Sequence, residues 1–583
     1  MVVIGLGFTD HEASAALVVD GELRTAIARE RLTRLKKDGI RFGSQRLDLS
    51  PAIHYCLQQN RLTLSDVDLI VWNHIDHLAL AEIENLLGQE GSPGFSGIPN
   101  TALPHHFAHA CASFYLSPFS DAAVLVADGT GGSLERLVRH CEGPEPASIR
   151  EGSVRIQNFL TEDPQTAQEL ESFYSCRDGS EWSILRKIVG RYGGVGGRYG
   201  AVSSLLFDSP LDAGKTMGLA EYGDPSGPHV FLEPVDEADM RAFRAARGDE
   251  WYRLKQRLQL WRTANALRNL KPNYEDPLPS GCAAVMQRES EEALLSHARW
   301  LRQNTDSRNL CLSGGVALNC VANSRLAREA GFEEIFVPPA PGDDGIAVGC
   351  ALYGASVNGE LRQDEPRRQR CRVFLGRGYP HDEGKIQATG LIPVFTEPNL
   401  AEWVAARIAQ GSVVGWYQGG AELGPRALGH RSFLADPRNP LMRDHLNLGV
   451  KNREPFRPFA PVVLEDRVLE YFEELYPSYY MSFVATVRKE KRAVVPAITH
   501  IDGTARYQVL RKLDNPELYA VIQAFDRLTG VPLLLNTSFN RAGEPIVETP
   551  EQAARCVVES GADLLVLDGS AYENPQARTC RHA

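Results

Sequence analysis

Two histidines one helical turn apart form the first group of residues that could do chemistry. Pro104 precedes them and suits the start of a helix, on which His105 and His109 would face the same way. Two imidazoles so placed can share one metal ion. Asp128 and Asp343 stand in Gly-rich turns, so the four side chains predict a mixed site for iron, zinc or manganese. The histidine pair alone is better explained as a helix cap and a core residue.

Two Gly-rich turns at predicted strand ends could approach a phosphate. The first is Asp128-Gly129-Thr130-Gly131-Gly132, after the apolar run Ala122–Ala127, and the second is Ser313-Gly314-Gly315, after Asn309–Leu312. Such turns leave backbone N–H groups free for an anion, and a helix N-terminus is expected behind the second. Neither is a Walker loop or a dinucleotide fingerprint. Together they favour ATP in a cleft between two halves of one fold.

The segment Gly424–Pro461 is rich in basic residues that alternate mainly with Gly, Pro and Phe. Only three acidic residues accompany them, Asp436, Asp444 and Glu454. Arginines on a rigid backbone suit bidentate recognition of phosphate, which predicts an anion site. The alternative is a set of structural arginines that cap helix carboxyl ends. The basic residues of the segment are Arg426, Arg431, Arg438, Arg443, Lys451, Arg453 and Arg457; Arg506 and the strand-end Asn536, Thr537 and Ser538 could complete the pocket.

His11 lies between two apolar strands, so we expect it at a hairpin tip that faces a cleft, where a neutral imidazole could act as a general base. The simpler alternative is a solvent-exposed turn residue. Lys36 could reach a phosphate or be a surface charge. His74 and His77 form a rival metal pair, which we assign to loop polarity.

The elements that must position these residues alternate between strands and helices. Val2–Leu6, Ala15–Val19 and Leu23–Ala28 predict strands, with a hairpin turn at Asp20-Gly21. A weaker echo comes about 120 residues later, where Ala122–Ala127 is followed by a strand predicted from Leu134. The echo favours a duplicated α/β core, and two unrelated hairpins are the alternative.

Further elements follow the same alternation, with a domain boundary predicted in the polar stretch Gly359–Arg372. The predicted helices are Tyr252–Leu270, Ala317–Glu329, Ile346–Ala355, Leu400–Gln410 and Pro550–Gly561. The predicted strands are Ile335–Val337, Ser412–Tyr417, Leu533–Leu535 and Leu564–Leu567.

The composition bounds the classes of protein that this chain can belong to. Its 583 residues are 43% hydrophobic and 23% charged, which excludes a largely disordered chain and predicts two or more domains. A net charge of −12 argues against a dedicated nucleic-acid binder. No apolar run is long enough for a membrane span, and the start of the chain has no basic region of an export signal. The 11 cysteines are scattered without a C-x-x-C pair, which favours the cytoplasm.

The chain resembles the O-carbamoyltransferases of the nodulation and antibiotic-biosynthesis type. The strongest match is the composite Gly424–Arg431, Ala435–Arg438 and Lys451–Pro461; shorter matches in order are His11–Ala16, His105–Ser113, Gly214–Gly223, Ser313–Asn319, Asp343–Gly349 and Asn536–Asn540. The resemblance implies an α/β protein of two domains. Residues 1–362 would form a duplicated actin-like (ASKHA) domain, and residues 373–583 a twisted α/β domain like the threonylcarbamoyl-adenylate synthases.

The resemblance also implies a reaction. The second domain would make carbamoyl adenylate from carbamoyl phosphate and ATP, with Mg²⁺ accompanying the ATP. The first domain would transfer the carbamoyl group to a hydroxyl of a small natural product. The acceptor is left open among aminoglycosides, cephems, macrocycles and aromatic peptides, and the divergent region Thr161–Trp300 is expected to shape its pocket. The oligomeric state is also open, with a homodimer as one option, and neither a nucleic acid nor a membrane is expected as a partner.

Site residues carry over by position. His105, His109, Asp128 and Asp343 match metal ligands that bind iron in this family, and His11 matches the proposed base. Nucleotide contacts match Lys36, Asp128, Gly129, Thr130, Gly131, Gly132, Ser313, Gly314, Gly315 and Asn319. The pocket for carbamoyl phosphate and ATP matches Arg426, Lys451, Arg457, Arg506, Asn536, Thr537 and Ser538. Two alternatives stay open, a tRNA threonylcarbamoyl-type modification enzyme and an actin-like nucleotide-binding protein without transfer activity.

Overall fold

The computed structural model describes residues 1–39, 48–74, 97–159, 166–190, 193–226, 256, 275–361, 372–394, 399–473 and 476–577. The fold is mixed α/β, with three large sheets and a small two-stranded one among these residues. No helix in these ranges is both long and apolar enough to cross a membrane. The predicted helix Tyr252–Leu270, except residue 256, and His77 lie outside the described residues, and the predicted boundary Gly359–Arg372 does so in large part.

The first sheet begins with a buried antiparallel meander. Asp20 and Gly21 both have positive φ, 51° and 76°, as a two-residue hairpin turn requires. Two further strands add in parallel on the other side of the first strand. The strands in sheet order are Glu22–Ala28, Ala13–Val19, Val2–Phe8, Leu69–His74 and Asn100–Pro104.

The second sheet repeats that order of pairings. Its central strand is antiparallel to one neighbour, which continues into a second antiparallel strand, and parallel to the other neighbour, which continues into a second parallel strand. One additional strand joins the edge. In sheet order the strands are Glu334–Phe336, Asn309–Ser313, Ala122–Ala127, Gln168–Arg177, Glu181–Gly190 and Arg155–Phe159.

Two buried helices, His105–Leu116 and Ile346–Val357, pack against each other between these sheets. Their backbones approach closely at Gly349, where a Cβ atom would lie 2.0 Å from the carbonyl oxygen of Ala108. A side chain at Gly349 would therefore push apart the helix that carries His105 and His109 and the helix that follows Asp343.

The third sheet has eight strands and a core that is continuous with that of the second sheet. Its strands in sheet order are Ile392–Val394, Ser570–Glu573, Leu564–Leu567, Val414–Tyr417, Arg431–Ala435, Leu533–Ser538, Ala460–Leu464 and Gln508–Leu510; Val484–Thr486 and Thr504–Arg506 form the small sheet. The remaining helices are Arg29–Thr33, Ser50–Gln59, Leu134–His140, Pro144–Arg150, Gly194–Phe207, Ala213–Ala220, Pro277–Gln303, Cys320–Glu329, Glu383–Gln387, Leu400–Ala409, Met442–Asp444, Pro516–Thr529 and Pro550–Ser560.

Most of the predicted elements are confirmed to within a few residues, and Leu564–Leu567 is confirmed at both ends. The strand predicted from Leu134 is wrong, because the structure has a helix there, Leu134–His140. Its buried residues Leu134 and Leu137 are three apart, which is helical spacing. The antiparallel partner of Ala122–Ala127 comes later, at Gln168–Arg177.

Two predicted segments have different ends in the structure. The helix predicted over Ala317–Glu329 is divided at Asn319, whose side chain accepts a hydrogen bond from the Ala322 amide and caps the helix Cys320–Glu329. The strand predicted to end at Leu535 continues to Ser538, so Asn536 and Thr537 pair with the neighbouring strand instead of following it.

Candidate active site

The structure brings together the four side chains predicted to bind a metal. His105 Nε2 lies 3.1 Å from Asp128 Oδ2, and His109 Nε2 lies 3.2 Å from Asp343 Oδ1. One ligand atom from each of the four residues lies within 4.8 Å of the others, and all four residues are buried. Strand Ala122–Ala127 delivers Asp128 at its carboxyl end, where strand-end side chains of an α/β fold gather.

The histidines and aspartates of this cluster shift one another's pKa values toward the charged forms. Burial disfavours the imidazolium of His109, but hydrogen bonds to both aspartates outweigh burial and raise the pKa of His109 to about 10. Burial and Asp128 oppose ionisation of Asp343, but the histidines lower the pKa of Asp343 to about 2. Two carboxylates and two imidazoles at this distance fit a divalent or iron cation, because that donor set suits such ions and one cation can contact all four groups.

An outer contact orients one of the imidazoles. Asn73 Nδ2 lies 3.4 Å from His105 Nδ1, and the same amide group exchanges two hydrogen bonds with the backbone of Phe8, 2.9 and 3.1 Å long. Asn73 therefore fixes the ring so that Nε2 points at the two aspartates, as the outer partners of metal-binding histidines commonly do.

His11 reaches the same cluster from the first hairpin. It lies between the strands Val2–Phe8 and Ala13–Val19, with its side chain 38% exposed, and its Nε2 is 3.3 Å from Asp343 Oδ2. His11 is thus held beside a buried carboxylate with its side chain partly exposed, and its projection into a cleft stays a prediction.

The two Gly-rich turns use their amides differently from the prediction. The N–H groups of Gly131 and Gly314 bond backbone oxygens at 2.8 Å, and those of Gly132 and Gly315 bond the carboxylates of Glu169 and Asp128 at 3.2 and 2.8 Å. The expectation that these four amides are free for phosphate is therefore wrong. A close strand approach explains Gly314, which has φ +86° and whose Cβ would lie 2.1 Å from the Ala127 carbonyl.

The other residues of these turns have separate positions. Gly129 and Thr130 are exposed. Ser313 is buried, with its hydroxyl donating to the Pro341 carbonyl at 3.4 Å. Asn319 is a helix cap and bonds Gln287, so it has a structural role in the described contacts. The second turn thus positions the Asp128 carboxylate through the hydrogen bond from the Gly315 amide.

A cavity of about 210 Å³ lies where the second half of the chain meets the first. Its basic lining comprises Lys36, Lys37, Arg426, Arg453, Arg457 and Arg506, and the strand-end residues Asn536, Thr537 and Ser538 also line it. Its acidic lining includes Glu12 and Asp344, which directly follow His11 and Asp343 in the chain. The cavity therefore extends from the arginines to the immediate neighbours of the histidine–aspartate cluster.

Four arginines, Arg426, Arg453, Arg457 and Arg506, line the basic end of this cavity. No ion pair links Arg426, Arg453 or Arg506 to a carboxylate within the part of the chain that the structure describes. Burial and the neighbouring arginines lower the pKa of Arg426 to about 9 and depress the pKa of Arg453. Removing water from like charges is costly unless an ion of opposite charge is bound.

Two predicted pocket residues make mainly internal bonds. The Lys451 ammonium donates to Ser538 Oγ, Asn540 O and Asn540 Oδ1, the last at 2.6 Å, so it holds the strand-end segment in place and is not part of the cavity lining. Asn536 donates to Ala427 O and Gln508 Oε1, while its own Oδ1 is buried and has no hydrogen-bond partner among the described residues. Both residues therefore hold in place the strand end at which Ser538 lines the cavity.

Two arginines of the same segment have structural roles, and one of them, Arg438, bonds a helix carboxyl end as the alternative expected. Arg431 is fully buried, donates to backbone oxygens of Gln418 and Gly419, and lies 3.5 Å from the centre of the Tyr417 ring. Arg438 binds Asp436 through two nitrogens and donates to the Ala409 carbonyl at a helix end. The basic segment thus contains both arginines that line the cavity and arginines with a structural role.

Several cavity residues were missed in the sequence. Arg453 is in the basic segment that predicts the anion site, but it is not among the pocket residues that the resemblance implies. Lys37 adjoins Lys36 and forms a close ion pair with Glu12. Glu221, with a pKa that burial raises to about 8, carried no sequence signal of its own.

Comparisons with known proteins find several similar to this chain. The family model for the carbamoyltransferase N-terminus matches residues 3–88 and 97–352, and that for the carbamoyltransferase C-terminus matches residues 405–574. Nodulation protein U of Sinorhizobium fredii (strain NBRC 101917 / NGR234) is 37% identical, over 99% of this chain and all of that protein. The 3'-hydroxymethylcephem-O-carbamoyltransferase of Amycolatopsis lactamdurans is 30% identical, over 63% of this chain and 65% of that enzyme. Among solved structures, full-length HypF in its phosphate- and nucleotide-bound form is 12% identical with a TM-score of 0.35, over 61% of this chain and 55% of that one.

Proposed function

The chain belongs to the carbamoyltransferase family, and on that premise we propose that it is an ATP-dependent O-carbamoyltransferase that uses carbamoyl phosphate. Its acceptor is a hydroxyl group of a small natural product. The observation that carries the proposal is a single cavity with arginines at one end and the neighbours of His11 and Asp343 at the other. Three of these arginines, Arg426, Arg453 and Arg506, have no ion pair with a described carboxylate.

The basic end of the cavity suits the activation step. Carbamoyl phosphate and ATP are both anionic, so guanidinium groups suit them. Arg426 and Arg506 have no ion pair with a described carboxylate, and the Arg457 guanidinium lies 3.9 Å from a carboxylate oxygen of Glu454. Transfer of the phosphoryl group of carbamoyl phosphate to water leaves carbamate and inorganic phosphate. A carbamate oxygen then attacks the α-phosphorus of ATP, pyrophosphate leaves, and carbamoyl adenylate forms.

The histidine–aspartate end suits the transfer step. His11 is held 3.3 Å from Asp343 Oδ2, and the next residue in the chain, Glu12, lines the cavity. There its imidazole takes the proton of the acceptor hydroxyl, the hydroxyl oxygen attacks the carbamoyl carbon, and AMP leaves. A metal ion bound by His105, His109, Asp128 and Asp343 would supply positive charge beside the leaving phosphate.

The fold supports a division of the chain between these steps. We infer that the two sheets with the same pairing order are halves of a duplicated actin-like domain, residues 1–362, and that the eight-stranded sheet belongs to the adenylate-forming domain, residues 373–583. The nine cysteines in the described ranges are buried and form no disulfide with one another, which agrees with a cytoplasmic enzyme.

The test is carbamoyl-phosphate-dependent conversion of ATP to pyrophosphate and AMP, followed with Mg²⁺ present. Arg457→Ala should lose pyrophosphate formation, because the anion loses its partner at the basic end. His11→Ala should still form pyrophosphate but fail to carbamoylate any acceptor in a panel of hydroxylated metabolites analysed by mass spectrometry. Formation of ADP alone, or equal loss of both half-reactions in His11→Ala, would contradict the proposal.

A further inference from the structure

The segment Arg29–Gly39, here called the clamp, connects both ends of the cavity. It comprises the short helix Arg29–Thr33 and the loop that follows it, in which Arg34 and Lys37 have left-handed φ values of 63° and 59°. Such a backbone is strained for residues other than glycine and persists where surrounding contacts hold it. Glu30, Lys36, Lys37 and Asp38 of the clamp line the cavity.

Two arginines of the clamp hold walls of the cavity that belong to the second half of the chain. The Arg31 guanidinium donates to Gly424 O at 2.8 Å and to Glu422 O at 3.4 Å, just before Pro425 and Arg426 enter the lining. The Arg34 guanidinium donates to Ile546 O at 2.7 Å and Pro545 O at 2.8 Å, and both of these residues line the cavity. Two wall segments that are distant in the sequence are thus tied to the clamp.

The clamp is also fixed within itself and to the His11 loop. Arg29 pairs with Asp38 at 2.8 Å, Thr33 donates to Asp38 at 2.6 Å, and the Lys37 amide donates to Glu30 at 2.8 Å. At its end Gly39 packs so closely on the loop that a Cβ would lie 2.4 Å from the His11 amide nitrogen. Movement of the clamp would therefore displace both the basic walls and the proposed base.

We propose that the clamp keeps the cavity closed to water while the carbamoyl adenylate is present, with Arg31 and Arg34 as its positioning residues. The inference rests on the proposed function, since it concerns the fate of that intermediate. In an open cavity a water oxygen attacks the carbamoyl carbon, the bond from that carbon to the phosphate oxygen breaks, and AMP leaves. The released carbamate decomposes to carbon dioxide and ammonia.

Hydroxylamine tests this closure because it is a small external nucleophile. Its nitrogen attacks the carbamoyl carbon of an exposed adenylate and gives hydroxyurea and AMP. The full-length protein is supplied with ATP, Mg²⁺, carbamoyl phosphate and hydroxylamine, and hydroxyurea and pyrophosphate are both quantified. Arg34→Ala should raise hydroxyurea per pyrophosphate about tenfold over the unmodified protein, the change expected when hydrogen bonds from one charged group are lost.

Matched variants separate positioning from general damage. Arg34→Lys should lie between the two, because one ammonium can replace only part of a guanidinium that spans two carbonyls, and it carries the test if Arg34→Ala does not fold. Arg24→Ala, at a half-exposed arginine on the neighbouring strand, should behave like the unmodified protein. Equal hydroxyurea yields in the unmodified protein and both Arg34 variants would overturn the clamp alone. Absence of pyrophosphate from the unmodified protein would overturn the proposed function and the clamp with it.

Discussion

Two buried clusters of charge in this protein differ in whether their charges are neutralised. In the second sheet, Lys187 is completely inaccessible to solvent and forms close ion pairs with the equally buried Glu145 and Glu169. Its ammonium also donates to Ser172 Oγ at 3.0 Å and to Tyr174 OH at 3.3 Å. In the cavity, by contrast, Arg426, Arg453 and Arg506 have no ion pair with a described carboxylate.

The contrast separates a structural cluster from a ligand site. Burial opposes the charge on Lys187, but the two glutamates outweigh burial and raise the pKa of Lys187. At the cavity, burial and like charge act together and lower the pKa of Arg426 to about 9. A buried group whose partners are all within the fold contributes to folding, whereas an excess of buried positive charge leaves room for an anion.

The largest expected effect is on the neutralised cluster. Lys187→Met should lower the free energy of unfolding by about 3–5 kcal/mol, because it leaves two buried carboxylates without their cation. Chemical denaturation measures the loss. Arg139→Met removes an exposed ion pair with Glu135 of the same helix and should cost no more than about 0.5 kcal/mol. If the two variants were equally stable, the cluster would not be the structural unit described here.

The next effect is on the basic cluster and has the opposite pattern. Arg506→Met should reduce carbamoyl-phosphate-dependent pyrophosphate formation by about 100-fold or more, the scale of a lost charge-assisted contact. Its unfolding free energy should stay unchanged or rise, since like-charge repulsion is relieved. Arg438→Met is the matched control, because Arg438 is bonded to Asp436 and to a helix end. That variant should lose stability and keep pyrophosphate formation; the reverse result for either variant would contradict the comparison.

The sequence only partly distinguished the arginines that line the cavity from the arginines that have a structural role. A local excess of basic residues over Gly424–Pro461 predicted an anion site, and the arginines Arg426, Arg453 and Arg457 of that segment line the cavity. It could not separate Arg426, which lines the cavity, from Arg431, which is bonded to backbone oxygens on a central strand. Charge density along a chain is visible in the sequence, but the acceptors that satisfy each guanidinium come from distant segments such as Gln418 and Glu548.

The same limit applies to the fold. Apolar runs with hairpin turns located the strands of the first sheet, because a buried strand and a two-residue turn are local features. The helix at Leu134–His140 was mistaken for a strand because the real partner strand, Gln168–Arg177, lies further along the chain. The turn amides of Gly132 and Gly315 were expected to be free because their acceptors, Glu169 and Asp128, are brought to them only by folding.

The histidine–aspartate cluster offers an intermediate case and a smaller expected effect. Its groups balance one another, yet their geometry also suits a cation. The unmodified protein should bind about one equivalent of ferrous or manganous ion, and binding at 10 to 100 times the dissociation constant should stabilise it by about 1.4–2.7 kcal/mol. His109→Ala should abolish both. Metal content and thermal unfolding with and without a chelator measure the effect, and full metal content in His109→Ala would place the ion elsewhere.

The smallest expected effect is stabilisation of the basic cluster by an anion that is not consumed. Pyrophosphate carries the charge of the proposed product and needs no acceptor, so it reports on the arginines alone. At ten times its dissociation constant it should stabilise the protein against thermal unfolding by about 1.4 kcal/mol. Arg506→Met should remove most of that gain. Lys187→Met, although less stable overall, should keep it, because Lys187 does not line the cavity. If chloride at equal ionic strength stabilised the protein as much, the effect would be screening of exposed charge and not occupancy of the cavity.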